Sequence, residues 1–157
     1  MDNFKAFVYR LKCAFLRSRT YTHKPTLAQL LADPFVYAAL RLAWYQSRPH
    51  AAEVAWGQQG SRKQEQGGWI VWNRLTGRLR VVRVPGGSRD RLDHLREARP
   101  PGSPDQEVVA WFHTHPNTLR EGYRPQPSPG DRYFTRIIAK VPCIIETHQG
   151  RRTIAYP

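Results

Sequence analysis

Glu107-Val108-Val109-Ala110-Trp111-Phe112-His113-Thr114-His115 is an apolar run that ends on two histidines separated by a single residue. Its β-branched and aromatic content predicts a strand, and Pro116 ends it. Side chains alternate between the two faces of a strand, so His113 and His115 point the same way and can share one metal ion. A catalytic zinc site needs three protein ligands and an open fourth position. The third ligand must come from elsewhere, and the next helix start, Ser128-Pro129-Gly130-Asp131, offers a carboxylate in its first turn. Each half has an ordinary reading by itself. His-x-His is common on surfaces, and Ser128 with Asp131 makes a well-capped helix N-terminus whose acidic group faces the positive end of the dipole. In this order, and joined to a glutamate that heads an apolar stretch upstream, the two halves are hard to assign to chance.

Outward from this strand, helical and extended patterns interleave. Phe4, Phe7, Val8, Leu11 and Phe15 recur at helical spacing over residues 4–16, among Lys5, Lys12 and Arg17. This predicts a basic amphipathic helix. The chain's own core is the first expectation for what covers its apolar face, a partner protein the second and a membrane interface the last. Residues 26–32 predict a short helix. Asp33 then caps a longer one that has Pro34 at its first position, carries Phe35, Ala38, Ala39, Leu42 and Tyr45 on one face and ends near Arg48-Pro49. Glu53-Val54-Ala55-Trp56 reads as a strand, 57–68 as a loop, and 69–72 and 78–84 as further strands. A polar helix is expected over 88–99, between Gly86-Gly87 and Pro100-Pro101. Residues 128–140 predict a helix, and 143–146 and 152–156 closing strands. The pattern is α/β: a single mixed sheet flanked by helices, with functional groups at strand ends where loops converge.

A chain of 157 residues has room for one core, and 40% hydrophobic residues with five Trp are enough to fill it. The formal charge is +13, and 20 of the 25 basic residues are Arg. Such a balance favours acidic partners, but the charges are scattered through every segment, so nucleic acid is not the favoured partner. Cys13 and Cys143 are too few and too far apart for a disulfide framework. No stretch approaches the roughly 18 apolar residues of a membrane span, and Lys5, Arg10 and Lys12 interrupt the N-terminal apolar stretch. A cytoplasmic protein with no membrane partner is expected.

Glu53, then His113-Thr114-His115-Pro116, then Ser128-Pro129-Gly130-Asp131 resemble the signature of the JAMM metalloprotease (MPN-like) domain over roughly residues 34–157. The family pattern is a Glu, a long gap, His-(Ser/Thr)-His-Pro and then Ser-x-x-Asp. Here 12 residues separate His115 from Ser128, a longer gap than is usual, and loop length costs little free energy. The resemblance implies an MPN-like catalytic domain at 34–157 behind a helical extension at 1–33. It also implies one zinc per chain held by His113, His115 and Asp131, with Glu53 as general base and Ser128 as donor to the developing oxyanion. Glu53 is preferred to Glu65 because it heads an apolar stretch 60 residues before His113, whereas Glu65 lies in a polar, Gly-flanked loop. His23, His50, His94 and His148 fall outside the motif.

The implied activity is isopeptidase cleavage after the C-terminal glycine of a ubiquitin-like protein, or of its conjugates. Compact members of this kind resemble bacterial deconjugases that accompany E1-like and E2-like proteins, including in antiviral operons. Arg120, Tyr123 and Arg124 in the long loop would flank the glycine tail. The alternative is a basic nucleic-acid-associated module of the DNA-repair type that shares the motif. Amidohydrolases, which also use His-x-His, need a barrel of about 250 residues and are excluded by length.

Overall fold

In the computed structural model, which describes residues 1–92 and 95–157, the extended runs form one five-stranded sheet. Its strands are β1 (Gly67–Asn73), β2 (Leu79–Arg83), β3 (Gln106–His115), β4 (Cys143–Thr147) and β5 (Gly150–Ile154), in the spatial order β2-β1-β3-β4-β5. The helices are α1 (Asp2–Phe15), α2 (Leu27–Leu31), α3 (Pro34–Gln46) and α4 (Pro129–Tyr133), the last running directly into a π-helical turn, Phe134–Ala139. β3 is central, antiparallel to β1 and parallel to β4, and the remaining pairs are antiparallel. The sheet is therefore mixed, as expected. A parallel neighbour requires a crossover, and the segment from Pro116 to Pro142, with α4 and the π-helical turn, supplies it.

Each face of the sheet has its own core. On one, Val36, Leu40 and Ala43 of α3 pack on Ile70, Trp72, Phe112 and Ile144. On the other, Trp69, Val71, Trp111 and Ile145 are covered by Leu95, Ala139 and Val141. Ile70 pairs with Ala110 and Val71 with Val108, which leaves Val109 as an extra residue in β3. Val109 and Ala110 consequently both join the core on the α3 side, the signature of a β-bulge.

α3 starts where the sequence predicts it. The Asp33 carboxylate accepts from the backbone N–H groups of Phe35 and Val36 at 2.9 and 3.1 Å, and also from Arg19 N–H and Tyr21 O–H. Residues on several sides of α3 are buried, not one stripe alone, because α1 lies against it, with Tyr9 stacked on Tyr45 at 5.7 Å.

Three expectations need correction. Glu53–Trp56 is irregular and not a strand: Val54 N–H donates to Glu121 Oε1, and the carbonyls of Val54 and Ala55 accept from Arg89, so side chains occupy the groups a strand ladder would use. Residues 88–92 and 95–99 form bends and turns where a polar helix was expected, and Asp93 and His94 lie outside the described residues. Here too the backbone is engaged elsewhere, with Ser88 and Gly87 pairing to Glu65 and the Arg89 carbonyl to Asn117. Finally, α1 turns its Phe4-Phe7-Leu11-Phe15 stripe outward, and among the described residues it adds nothing to the buried core.

Candidate metal centre

β3 carries His113 and His115 out of the sheet on one face, with their Nε2 atoms 2.9 Å apart. Behind them, the Trp111 ring stacks on His113 at 4.8 Å and 4°. Trp111 Nε1 donates to Thr135 Oγ1 at 3.1 Å, which fastens the π-helical turn to this face. The turn before it, α4, then brings Asp131 over the histidines: Oδ1 lies 3.0 Å from His113 Nε2 and Oδ2 3.4 Å from His115 Nε2. Among the described residues these three form a group able to hold a metal ion, with ligand atoms all within 4.8 Å of one another. A π-helical segment beside such a cluster is a common feature of functional sites.

The donor set suits a divalent cation. Burial lowers the pKa of His113 and favours the neutral imidazole that a metal requires. Burial alone would raise the Asp131 carboxyl, but hydrogen bonding to His113 and His115 prevails and holds it well below the usual carboxylate range. On its far side, His113 Nδ1 is 3.8 Å from Cys143 Sγ. Burial pushes that thiol well above its ordinary pKa, so a neutral group backs the ring and leaves Nε2 for the cluster. Two imidazoles and one carboxylate fit zinc, which takes nitrogen and oxygen ligands and, in catalytic sites, keeps one position open.

Ser128 caps α4. Its Oγ accepts from Asp131 N–H at 3.1 Å while Asp131 Oδ2 accepts from Ser128 N–H at 2.7 Å, a reciprocal capping box. One carboxylate thus serves both the helix start and the histidine cluster. Ser128, Asp131, His113 and His115 all line a cleft of about 910 Å³, together with Tyr123 and Arg124 of the long loop.

The two candidate glutamates are separated clearly. Glu53 is exposed, accepts from Thr118 Oγ1 at 2.9 Å and is not among the residues lining the cleft. Glu65 is buried and does line it. Burial, then the charge of Asp131, push the Glu65 carboxyl well above its usual range. Strand register accounts for its position. Gly67 pairs with His113, and Thr114 N–H donates to the Gln66 carbonyl, so Glu65 continues β1 opposite His115 and on the histidine face. The backbone of Glu65 is clamped by two bonds to Gly87 and Ser88. Gly67 has to be glycine, because a Cβ there would collide with the Phe112 carbonyl and Leu92 and press on His113. The available signal was the Glu65-Gln66-Gly67-Gly68 string itself: paired glycines at a strand head mark close backbone approach.

The long loop after His115 is tied down from within. Lys63 Nζ lies 2.6 Å from Glu121 Oε2, and both side chains are at most 1% exposed. Glu121 also accepts from the N–H groups of Val54 and Thr118. His148 bonds the Pro116 carbonyl at 2.8 Å, directly behind His115. No family model matches this chain, and neither a curated protein nor a solved structure matches it.

Proposed function

We propose that the cluster is the centre of a metal-dependent hydrolase, with one zinc ion held by His113, His115 and Asp131. The observation that carries this is the convergence of two imidazoles and a carboxylate, 2.9 to 3.4 Å apart, on a cleft that also holds a buried carboxyl, Glu65. Within that class we assign the chain to the JAMM type, a zinc isopeptidase that cleaves after the C-terminal glycine of a ubiquitin-like protein. The mixed sheet and the order His-x-His, then Ser-x-x-Asp, support the assignment.

Zinc, when bound, polarises an amide carbonyl and lowers the pKa of water toward about 7. Glu65 takes the general-base role that the family resemblance implies for Glu53. Its carboxylate accepts the proton of the attacking water and returns it to the leaving amine. A cation held beside Glu65 would oppose the burial that raises its carboxyl pKa and so favour the carboxylate form that a general base needs. Ser128 orients Asp131 through the capping box and its hydroxyl proton serves a developing oxyanion. Tyr123 and Arg124 border the cleft where an extended, side-chain-free tail would enter.

The test is a ubiquitin-like protein fused through its terminal glycine to a reporter, incubated with the zinc-loaded chain and followed by mass spectrometry. Cleavage after the glycine, abolished by chelator and by Glu65→Gln but retained in Glu53→Gln, is the expected result. Zinc binding without cleavage of any such fusion would leave a metal site and remove the isopeptidase.

A further inference from the structure

We infer that α1 is an interfacial anchor that seats the protein on an anionic lipid surface. The helix is inverted relative to an ordinary surface helix. Its inner side meets α3 through Tyr9 and half-buried residues such as Ala6 and Cys13, whereas Phe4, Phe7, Leu11 and Phe15 face outward. Phe15 is 83% exposed and Phe4 71%. They stand about 16 Å apart along the helix axis. Beside the C-terminal half of α1 the apolar surface continues as a groove of about 870 Å³ bounded by Leu11, Phe15, Leu31, Pro34 and Tyr37. Contiguous apolar exposure of this kind marks an interaction site.

Charge selects the occupant. From Asn3 to Ala32 the chain has Lys5, Arg10, Lys12, Arg17, Arg19 and Lys24 and not one acidic residue. Lys12 flanks the stripe on one side and Arg10 on the other, both exposed. A second copy of the chain would bring the same cations against each other, on a protein that already carries +13. Projecting Phe side chains rimmed by Lys and Arg match a helix lying in the headgroup region, with the rings in the acyl boundary and the cations among lipid phosphates. At 14 residues α1 is too short to span a bilayer. Span length, the ground on which no membrane partner is expected from the sequence, does not register a helix that lies flat.

The full chain is sedimented with vesicles of phosphatidylcholine, with and without phosphatidylglycerol, at physiological salt. Binding to the mixed vesicles and little to the neutral ones is expected. Phe4→Ser/Phe15→Ser lowers the partition coefficient about tenfold or more, and Arg10→Glu/Lys12→Glu does so to a similar extent. The Phe variant keeps the wild-type melting temperature, because the stripe lies outside the core. The inference is overturned if the wild type does not bind the mixed vesicles, which leaves the stripe to an acidic protein partner. It is equally overturned if the Phe variant binds as well as the wild type, or if sedimentation equilibrium without lipid finds a dimer that the Phe variant dissolves.

Discussion

The two walls of the cleft are built by opposite means. One wall, β3 with α4 and the π-helical turn, consists of regular elements whose side-chain directions follow from backbone period, and it supplies His113, His115 and Asp131. The other, residues 47–66 with the loop 116–127, is mostly irregular, and it supplies Glu65, Tyr123 and Arg124. Regular structure satisfies its own backbone groups. The irregular wall depends on side chains to do so: Glu121 for the N–H groups of Val54 and Thr118, Arg89 for the carbonyls of Val54 and Ala55. His113, His115 and Asp131 are therefore placed by local periodicity, while the wall that carries Glu65 depends on contacts reaching up to 67 residues along the chain.

The largest effects should separate the walls chemically. His113→Ala removes a ligand and should weaken zinc binding by more than the roughly 100-fold that follows from disturbing the groups behind a ligand, measured by competition with a chromogenic chelator. Glu65→Gln should leave zinc affinity near wild type yet lower turnover by about 100- to 10,000-fold, the range for loss of a general base. Retained turnover in Glu65→Gln would return the role to Glu53.

Next in size is a test of how the irregular wall stands. Lys63→Met strands the buried Glu121 carboxylate and should cost about 3–5 kcal/mol by urea denaturation. Lys63→Met/Glu121→Leu should recover part of that loss. An effect on stability below that of an exposed ion pair would mean that the loop is held by something else.

The pH dependence sharpens the same point. Burial works to raise the Glu121 carboxyl, but hydrogen bonds from Lys63, Val54 N–H and Thr118 N–H outweigh it and hold it below the ordinary carboxylate range. A depressed folded pKa contributes stability above the unfolded value of about 4.3, and that contribution is lost as pH falls through the folded value. Acid unfolding of the wild type should therefore be steeper below this range than that of Glu121→Gln.

Smaller effects belong to single caps and to the exposed glutamate. Asp33→Ala should destabilise by about 2 kcal/mol, the upper end for an N-cap, since this carboxylate also receives Arg19 N–H and Tyr21 O–H. Glu53→Gln should change neither zinc affinity nor melting temperature measurably.

Legibility in the sequence follows the same division. The shared direction of His113 and His115, the Asp33 cap and the Ser128-Asp131 start were readable because each depends on neighbours within a few residues, and the mixed sheet was readable from the interleaving of strand and helix patterns along the chain. The position of Glu65 was not, since it follows from pairing Gly67 with His113 across a gap of 46 residues. An apolar run such as Glu53–Trp56 has strand propensity, but propensity does not supply a partner strand. Outward rotation of α1 was equally hidden: helical period tells which residues share a face, not which way that face turns.

The bulge at Val109 has a bearing on how this chain can change in length. In the stretch from Ala110 to His115, removal of any interior residue would exchange odd and even positions and swing a histidine away from the cleft. Val109 and Ala110 face the same side, so losing one of them restores plain alternation with Val108 and Trp111 unmoved. Parity is protected at one address only. The strand carries a single spare residue four positions ahead of His113, and there a one-codon deletion would straighten β3 without turning His113 or His115.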